Sequence, residues 1–319
     1  MMLPAYPVPE SAVIDAEVFA ELPPSLRRLG RTSYWAERNR MGVAVDSFIE
    51  GPSFDRDGNI WFVDIRFGRV FRASPAGAVT QVAENDGQPN GLKFRADGTA
   101  FIADFRNGIV RLDPRTGAVE PALRDGDTEA FKGCNDLHFG RDGSLYFTGQ
   151  GQTGLQDPAA RVYHWKPRTG SLACLVGKVP GSNGLVLDFE EHVLCLAVTR
   201  ANAVWRLPLA PSGRVNKSRL FLQFFGGRAG PDGLALTDRG GIVGCQTGMG
   251  LVWVHDALGR PAAVVRSPRW LGNTNCAFGG PGGRTLLITE SDTATILKAE
   301  FSPDQDIAGA PLFSGSRLL

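Results

Sequence analysis

The sequence predicts an all-β fold, a six-bladed β-propeller. Three observations carry that prediction: six related segments recur at blade spacing, each has a turn at the same place, and 40 glycines and 21 prolines lie dispersed among short apolar runs in 319 residues. The segments are EGPSFDRDGNIWFVD from Glu50, NGLKFRADGTAFIAD from Asn90, NDLHFGRDGSLYFTG from Asn135, NGLVLDFEEHVLCLA from Asn183, DGLALTDRGGIVGCQ from Asp232 and NCAFGGPGGRTLLIT from Asn275. Their openings are 40, 45, 48, 49 and 43 residues apart. A β-sandwich has no need of such a period, and no long 3.6-residue periodicity marks alternating helices.

Each unit opens with a polar residue and an apolar run, which predicts the innermost strand. Asp57-Gly58, Asp97-Gly98, Asp142-Gly143, Glu190-Glu191, Arg239-Gly240 and Gly282-Gly283 follow seven residues on. Asp-Gly between two apolar runs predicts a tight primed hairpin, because both residues tolerate positive φ. The second strand carries Trp61, Phe101, Tyr146, Leu194, Val243 and Leu286 in register. Third strands begin near Gly68, Gly108, Arg161 and Ala203, and a fourth such as Val79 to Ala83 follows a Pro/Gly turn. We expect one domain over residues 1–319, with an N-terminal extension 1–49, six blades over 50–304 and a tail 305–319. Within the extension, Asp15 to Leu22 reads as an outer strand that closes the ring onto the last blade. Residues 25–45 are charged and aromatic, and are either a lid over one mouth or a surface excursion. The Gly/Ser-rich tail after Pro303 is expected to be loosely ordered.

Composition narrows the function. Net charge is +1, so no basic excess is present to neutralise nucleic-acid phosphates. No run of 18 apolar residues predicts a membrane span. The first residues lack the basic and apolar regions of a secretory signal. Five scattered cysteines without a C-x-x-C pair suit reduced thiols, so a cytoplasmic location is expected.

In a propeller the innermost strands line the axis, and equivalent positions form a ring. The opening residues Glu50, Asn90, Asn135, Asn183, Asp232 and Asn275 all carry a side-chain oxygen. The competing explanation is that Asn-Gly and Asp-Gly are merely turn dipeptides. Six oxygen donors facing one channel are costly unless paired, and a cation pairs them. Two carboxylates with neutral amides suit one hard divalent ion, Ca²⁺ first, with Mg²⁺, Mn²⁺, Zn²⁺ or Fe²⁺ as alternatives. Other candidates are weaker. His138 follows Asn135 by three residues and should point between blades. His164, His192 and His255 fall in later strands or turns, and Cys134 and Cys276 read as small buried hydrophobes. Arg200 and Gln246, at the ends of second strands, reach a substrate only if loops fold inward. No G-x-S-x-G, H-E-x-x-H or Walker motif is present.

At Glu50-Gly-Pro, Asn135-Asp136, Ser182-Asn183-Gly184 and Gly230-Pro-Asp232-Gly the sequence resembles the senescence-marker-protein, regucalcin and gluconolactonase family of six-bladed propeller lactonases. The resemblance implies a divalent metal on the axis, held by Glu50, Asn183 and Asp232. It matches Asn135 to an asparagine that binds substrate or a metal-bound water, and it implies hydrolysis of a small-molecule lactone. Some members have an arginine two residues before that asparagine, where it helps hold sugar hydroxyls; here the position is Gly133. A less polar lactone or an ester therefore fits as well as a sugar lactone.

Ring and resemblance together point to a metal that polarises the lactone carbonyl and activates water. Asp232 is then the expected general base, with Asn135 beside it as the second catalytic residue. Asn135, Asn90 and Asn275 would orient water and substrate. Two alternatives stand: a metal-free enzyme like strictosidine synthase, and a binding propeller with a structural cation.

Overall fold

The repeat folds into six sheets, each meandering outward from an innermost strand. The structure, a computed structural model, describes residues 11–31, 33–40, 46–126, 129–152 and 154–310. The innermost strands are Ile49–Phe54, Pro89–Phe94, Cys134–Phe139, Ser182–Leu187, Gly230–Leu236 and Asn273–Gly279, in blades 1 to 6. Each packs against the next, and that of blade 6 against that of blade 1, so the ring closes.

The turns after these strands are not the two-residue primed hairpins expected. In blade 1 the Gly58 N–H donates to the Asp55 carbonyl, and the Asp55 N–H donates to the Asn59 carbonyl at 3.0 Å. The loop thus has three residues, and only its last, Gly58 with φ 78°, takes the left-handed conformation. The Asp55 carboxylate fixes the turn by accepting the N–H groups of Asp57 and Asn59, both at 2.9 Å. Blades 2 and 3 repeat the plan with Gly98 and Gly143 at positive φ.

Alternation along the strands puts apolar side chains between blades, where they form six clusters, one per interface. Trp61, Phe101, Tyr146, Leu194, Val243 and Leu286, the second-strand residues aligned in the sequence, are all buried. Each fully buried large apolar side chain contributes about 1.5–3 kcal/mol.

The N-terminal segment divides at Ala16. Glu17–Glu21 lies antiparallel on Thr295–Glu300 as the outermost strand of blade 6. Ala12–Asp15, which the sequence did not separate from it, runs parallel to Pro261–Arg266 as a fifth strand of blade 5. Further on, Tyr34–Arg40 is a short helix. It lies beside the loop holding Arg66, whose Nε donates to Ser33 Oγ at 3.3 Å. Residues 32 and 41–45 of the segment 25–45 lie outside the described residues, as do 1–10 and 311–319. The start of the tail is not loose. Ile307 and Ala308 are buried, the Asp238 N–H donates to the Ala308 carbonyl, and the Ala310 N–H donates to the Leu236 carbonyl. These two apolar residues anchor a stretch that its Gly/Ser content had suggested was free. Among the described residues no helix is long and apolar enough to cross a membrane.

Candidate active site

The six ring residues share one local device. In every innermost strand the pairing with the second strand slips at the predicted position, between Glu50 and Ser53, Pro89 and Leu92, Cys134 and Leu137, Ser182 and Leu185, Pro231 and Leu234, and Asn273 and Asn275. Such bulges re-aim a side chain out of the regular alternation. The glycine after most ring residues is not a turn residue. Gly91, Gly184 and Gly233 lie within strands without positive φ. A Cβ on Gly233 would fall 2.1 Å from Asn275 Oδ1, and one on Gly91 would fall 2.4 Å from Asp136 Oδ1. One on Gly184 would fall 2.5 Å from the Asp232 carbonyl. Glycine is therefore needed because each ring residue crowds the preceding blade.

The side chains meet. Asn275 Nδ2 donates to Glu50 Oε2 at 3.0 Å, and the Gly51 N–H donates to the same oxygen at 2.7 Å. Asn275 Oδ1 accepts the Cys276 N–H at 2.8 Å, so both ends of this amide are engaged within the protein. Asn183 Nδ2 donates to Thr199 Oγ1 at 3.2 Å, and Thr247 Oγ1 donates to Asp232 Oδ2 at 3.0 Å. Asn135 is buried, and its Oδ1 has no hydrogen-bond partner. Asn90, also buried, makes no side-chain hydrogen bond among the described residues. The six thus divide into Glu50, Asn183, Asp232 and Asn275, which are fixed by neighbours, and Asn90 and Asn135, which are not.

Sequence reasoning missed Asp136 as a site residue. It is buried, and Asn275 Nδ2 lies 3.5 Å from its Oδ2. Its signal was available: an acid stands where four of the six units have glycine. Asn273 was also missed. It is wholly buried, and neither polar atom of its side chain has a partner.

The electrostatics follow from three carboxylates in one dry place. Burial raises the Glu50 carboxyl well above its ordinary value, and the charges of Asp232 and Asp136 raise it further. Burial raises Asp232 to about 7, opposed by the Thr247 hydroxyl, reinforced by Asp136 and opposed again by Arg200 and Asn183. Burial raises Asp136 too, against the pull of Lys93. Among the described residues no three His, Cys, Asp or Glu side chains form a metal-binding group by themselves. An ion here would need the amides as well. The donor set is oxygen throughout, and together with the unpaired Asn135 Oδ1 it fits a hard divalent cation.

Residues 48–292 match the family described as SMP-30/Gluconolactonase/LRE-like region. The chain belongs to this family. Among curated relatives, Lactonase drp35 of Staphylococcus aureus is 25% identical over 273 residues, covering 81% of this chain and 82% of its own. Lactonase drp35 of Staphylococcus epidermidis is 26% identical over 258 residues, covering 76% and 78%. Among solved structures, a calcium-binding regucalcin of Agrobacterium tumefaciens superposes with a TM-score of 0.73 at 19% identity, covering 94% of this chain and 97% of its own. A gluconolactonase of Xanthomonas campestris gives 0.71 at 19% identity, covering 93% and 99%. These structural likenesses show the fold, the six-bladed propeller.

Within this SMP-30/gluconolactonase-like chain the departure at Gly133 has a structural cause. Gly133 has φ 77°, and a Cβ there would fall 2.2 Å from Phe105 Cε2. Phe105 occupies the room a longer side chain would need. The remaining sequence candidates, Arg200 excepted, are structural. Burial lowers His138 to about 4, as does Lys93, and His164 stacks on Tyr146 at 4.1 Å. Gln246 binds the Phe225 carbonyl at 2.9 Å and accepts the Trp253 indole N–H at 2.8 Å. Burial pushes the Cys134 and Cys245 thiols up, which opposes a nucleophilic role. Arg200 acts on Asp232 by charge, so it does stand toward the site.

Proposed function

We propose that this chain is a lactonase that depends on a divalent cation held on the propeller axis by Glu50, Asn183 and Asp232. The observation that carries the reading is the set of three buried carboxylates, Glu50, Asp136 and Asp232, each raised by burial, gathered beside the unpaired Asn135 amide in a member of this family. Ca²⁺ is the first candidate, and the calcium-binding regucalcin neighbour supports it. When bound, such an ion supplies positive charge that polarises a carbonyl oxygen and makes water more acidic.

The chain's own residues supply the rest. Asp232 is the proton acceptor in this reading, as a buried carboxylate able both to hold the cation and to take a proton from water. The Thr247 hydroxyl holds its Oδ2 in place. Asn275 and the Gly51 N–H hold Glu50. Asn135 and Asn90 remain to orient water and substrate. In the reaction a water oxygen bonds to the acyl carbon and the ring C–O bond breaks. The proton Asp232 takes from water is returned to the ring oxygen, which leaves a hydroxy acid.

The substrate is less polar than a sugar lactone in this reading. Gly133 offers no side chain for hydroxyls. Met249, Trp270 and Leu271 are exposed on loops joined by the Gly248 N–H to the Leu271 carbonyl, two residues from Thr247 and Asn273. Hydrolysis of aldonolactones, aromatic and alkyl lactones and esters, read by a pH indicator with and without chelator, tests the proposal. Loss of activity on chelation and its return with Ca²⁺, Mg²⁺ or Mn²⁺ is expected. Full activity after thorough chelation would overturn the role of the cation.

A further inference from the structure

A second cluster of charges surrounds the loop between the second and third strands of blade 1. Phe67, in the loop after the second strand of blade 1, is faced by three guanidinium groups: Arg66 at 4.6 Å from the ring centroid, Arg28 at 5.1 Å and Arg69 at 5.3 Å. Arg69 pairs with Asp64 at 2.6 Å, and Arg28 pairs with Glu84. Nearby, Arg27 pairs with Asp46 at 2.7 Å, and Arg106 pairs with Asp86. Arg66 makes no ion pair among the described residues. Its side chain is buried, with 5% of the residue exposed, and both Nη1 and Nη2 lack a hydrogen-bond partner. Of these five cations Arg66 is the one without a carboxylate partner, and it is shielded from water. A buried guanidinium with two idle donors is costly, and its planar fork matches the two oxygens of a carboxylate.

Arg66 also lines a cavity of about 480 Å³, together with Tyr34, Trp35, Phe67 and Gln88. We propose that this cavity binds a small organic monocarboxylate with an aromatic or apolar body, its carboxylate on Arg66 and its body against the aromatic walls. Glu84 and Asp86 line the same cavity, and their charges disfavour a dianion such as phosphate. Binding the carboxylate gives the Arg66 guanidinium the partner it lacks. Glu50, Asn183 and Asp232 are not among its lining residues, so the proposal stands whether or not they hold an ion.

Calorimetric titration of the full chain with benzoate, benzamide and inorganic phosphate tests this. Benzoate is expected to saturate the wild-type protein and Glu50→Gln alike. Benzamide, the neutral isostere, and phosphate should bind at least about tenfold more weakly. Arg66→Met should weaken benzoate by about tenfold or more while leaving the fold intact, since it replaces an unpaired charge by an apolar chain of similar length. Arg66→Lys keeps the charge but not the fork, and should also weaken it. Equal binding of benzoate and benzamide, preference for phosphate, unchanged affinity in either variant, loss of benzoate binding in Glu50→Gln, or no saturable benzoate binding at millimolar concentration would each overturn the proposal. If Arg66→Met fails to fold, Arg66→Lys and the wild-type preference among the three probes decide it.

Discussion

Asn275 donates its side-chain N–H to Glu50 Oε2 across 3.0 Å, which joins the last blade to the first at the axis. Because Asn275 Oδ1 is held by the Cys276 N–H, the amide cannot turn away without losing both bonds. It acts by orienting Glu50. Asn275→Ala should therefore weaken divalent-cation binding by about tenfold, as loss of a group that orients a ligand typically does. Titration calorimetry with Ca²⁺ checks this, and unchanged affinity would show that Glu50 needs no such support.

Stability of the metal-free protein should fall as pH rises. Glu50, Asp136 and Asp232 all have folded-state values raised by burial, so the folded protein binds protons that the unfolded chain releases. The stabilising contribution is whole below the ordinary carboxyl value and is lost as pH climbs toward the raised one. For Asp232 that window runs from 3.8 to about 7. Melting temperature across this range in chelator should decline, and added Ca²⁺ should lift it most at the alkaline end. Asp232→Asn should flatten the decline; an identical curve in that variant would refute the assignment.

Asp232 and Asp136 should separate by phenotype. Asp232→Ala is expected to abolish both hydrolysis and most cation affinity. Asp136→Asn, which removes a charge while keeping shape, should retain the cation and far more activity than Asp232→Ala, because Asp232 takes the proton. Rates and calorimetry on the two variants distinguish them. An Asp136→Asn enzyme as inactive as Asp232→Ala would refute this division of roles.

Gly233→Ala should disturb the axis. Its new Cβ would fall 2.1 Å from Asn275 Oδ1, so blades 5 and 6 must part slightly. Overpacking of this kind costs about 1–3 kcal/mol. A lowered melting temperature together with weakened Ca²⁺ binding is expected, whereas Gly98→Ala, with nothing within 4 Å of its Cβ, should leave the cation site unaffected.

The propeller was legible because its signal is repeated. A polar opening residue, a turn seven residues on and a large apolar second-strand residue recur six times over, with Asp-Gly and an aromatic in the first three units, and the glycine-broken sixth unit is carried by the others. What failed was local. The loops at Gly58 and Gly98 hold three residues instead of two; at Gly58 the Asp55 carboxylate captures two backbone N–H groups, which dipeptide preference does not encode. At the axis the type of residue was readable but not its engagement. Asn275 and Asn135 look alike in the sequence, yet one is bound at both ends and the other has an idle oxygen. Asp136 was passed over because strand alternation assigns its neighbour to the channel, and the bulge that lets two successive residues reach the site is a property of strand pairing.

The division at Ala16 reaches beyond the two blades it serves. Residues 12–15 are tethered to blade 5 and 17–21 to blade 6, with Asp15 gripping Arg266 and Glu17 gripping Lys298. Residues 12–21 are made before residues 261–300 and must wait for them before they have anything to hold. Two sectors are thus sewn by a single thread, and a nascent chain lacking residues 261–300 would leave that thread dangling as an open, strand-hungry edge.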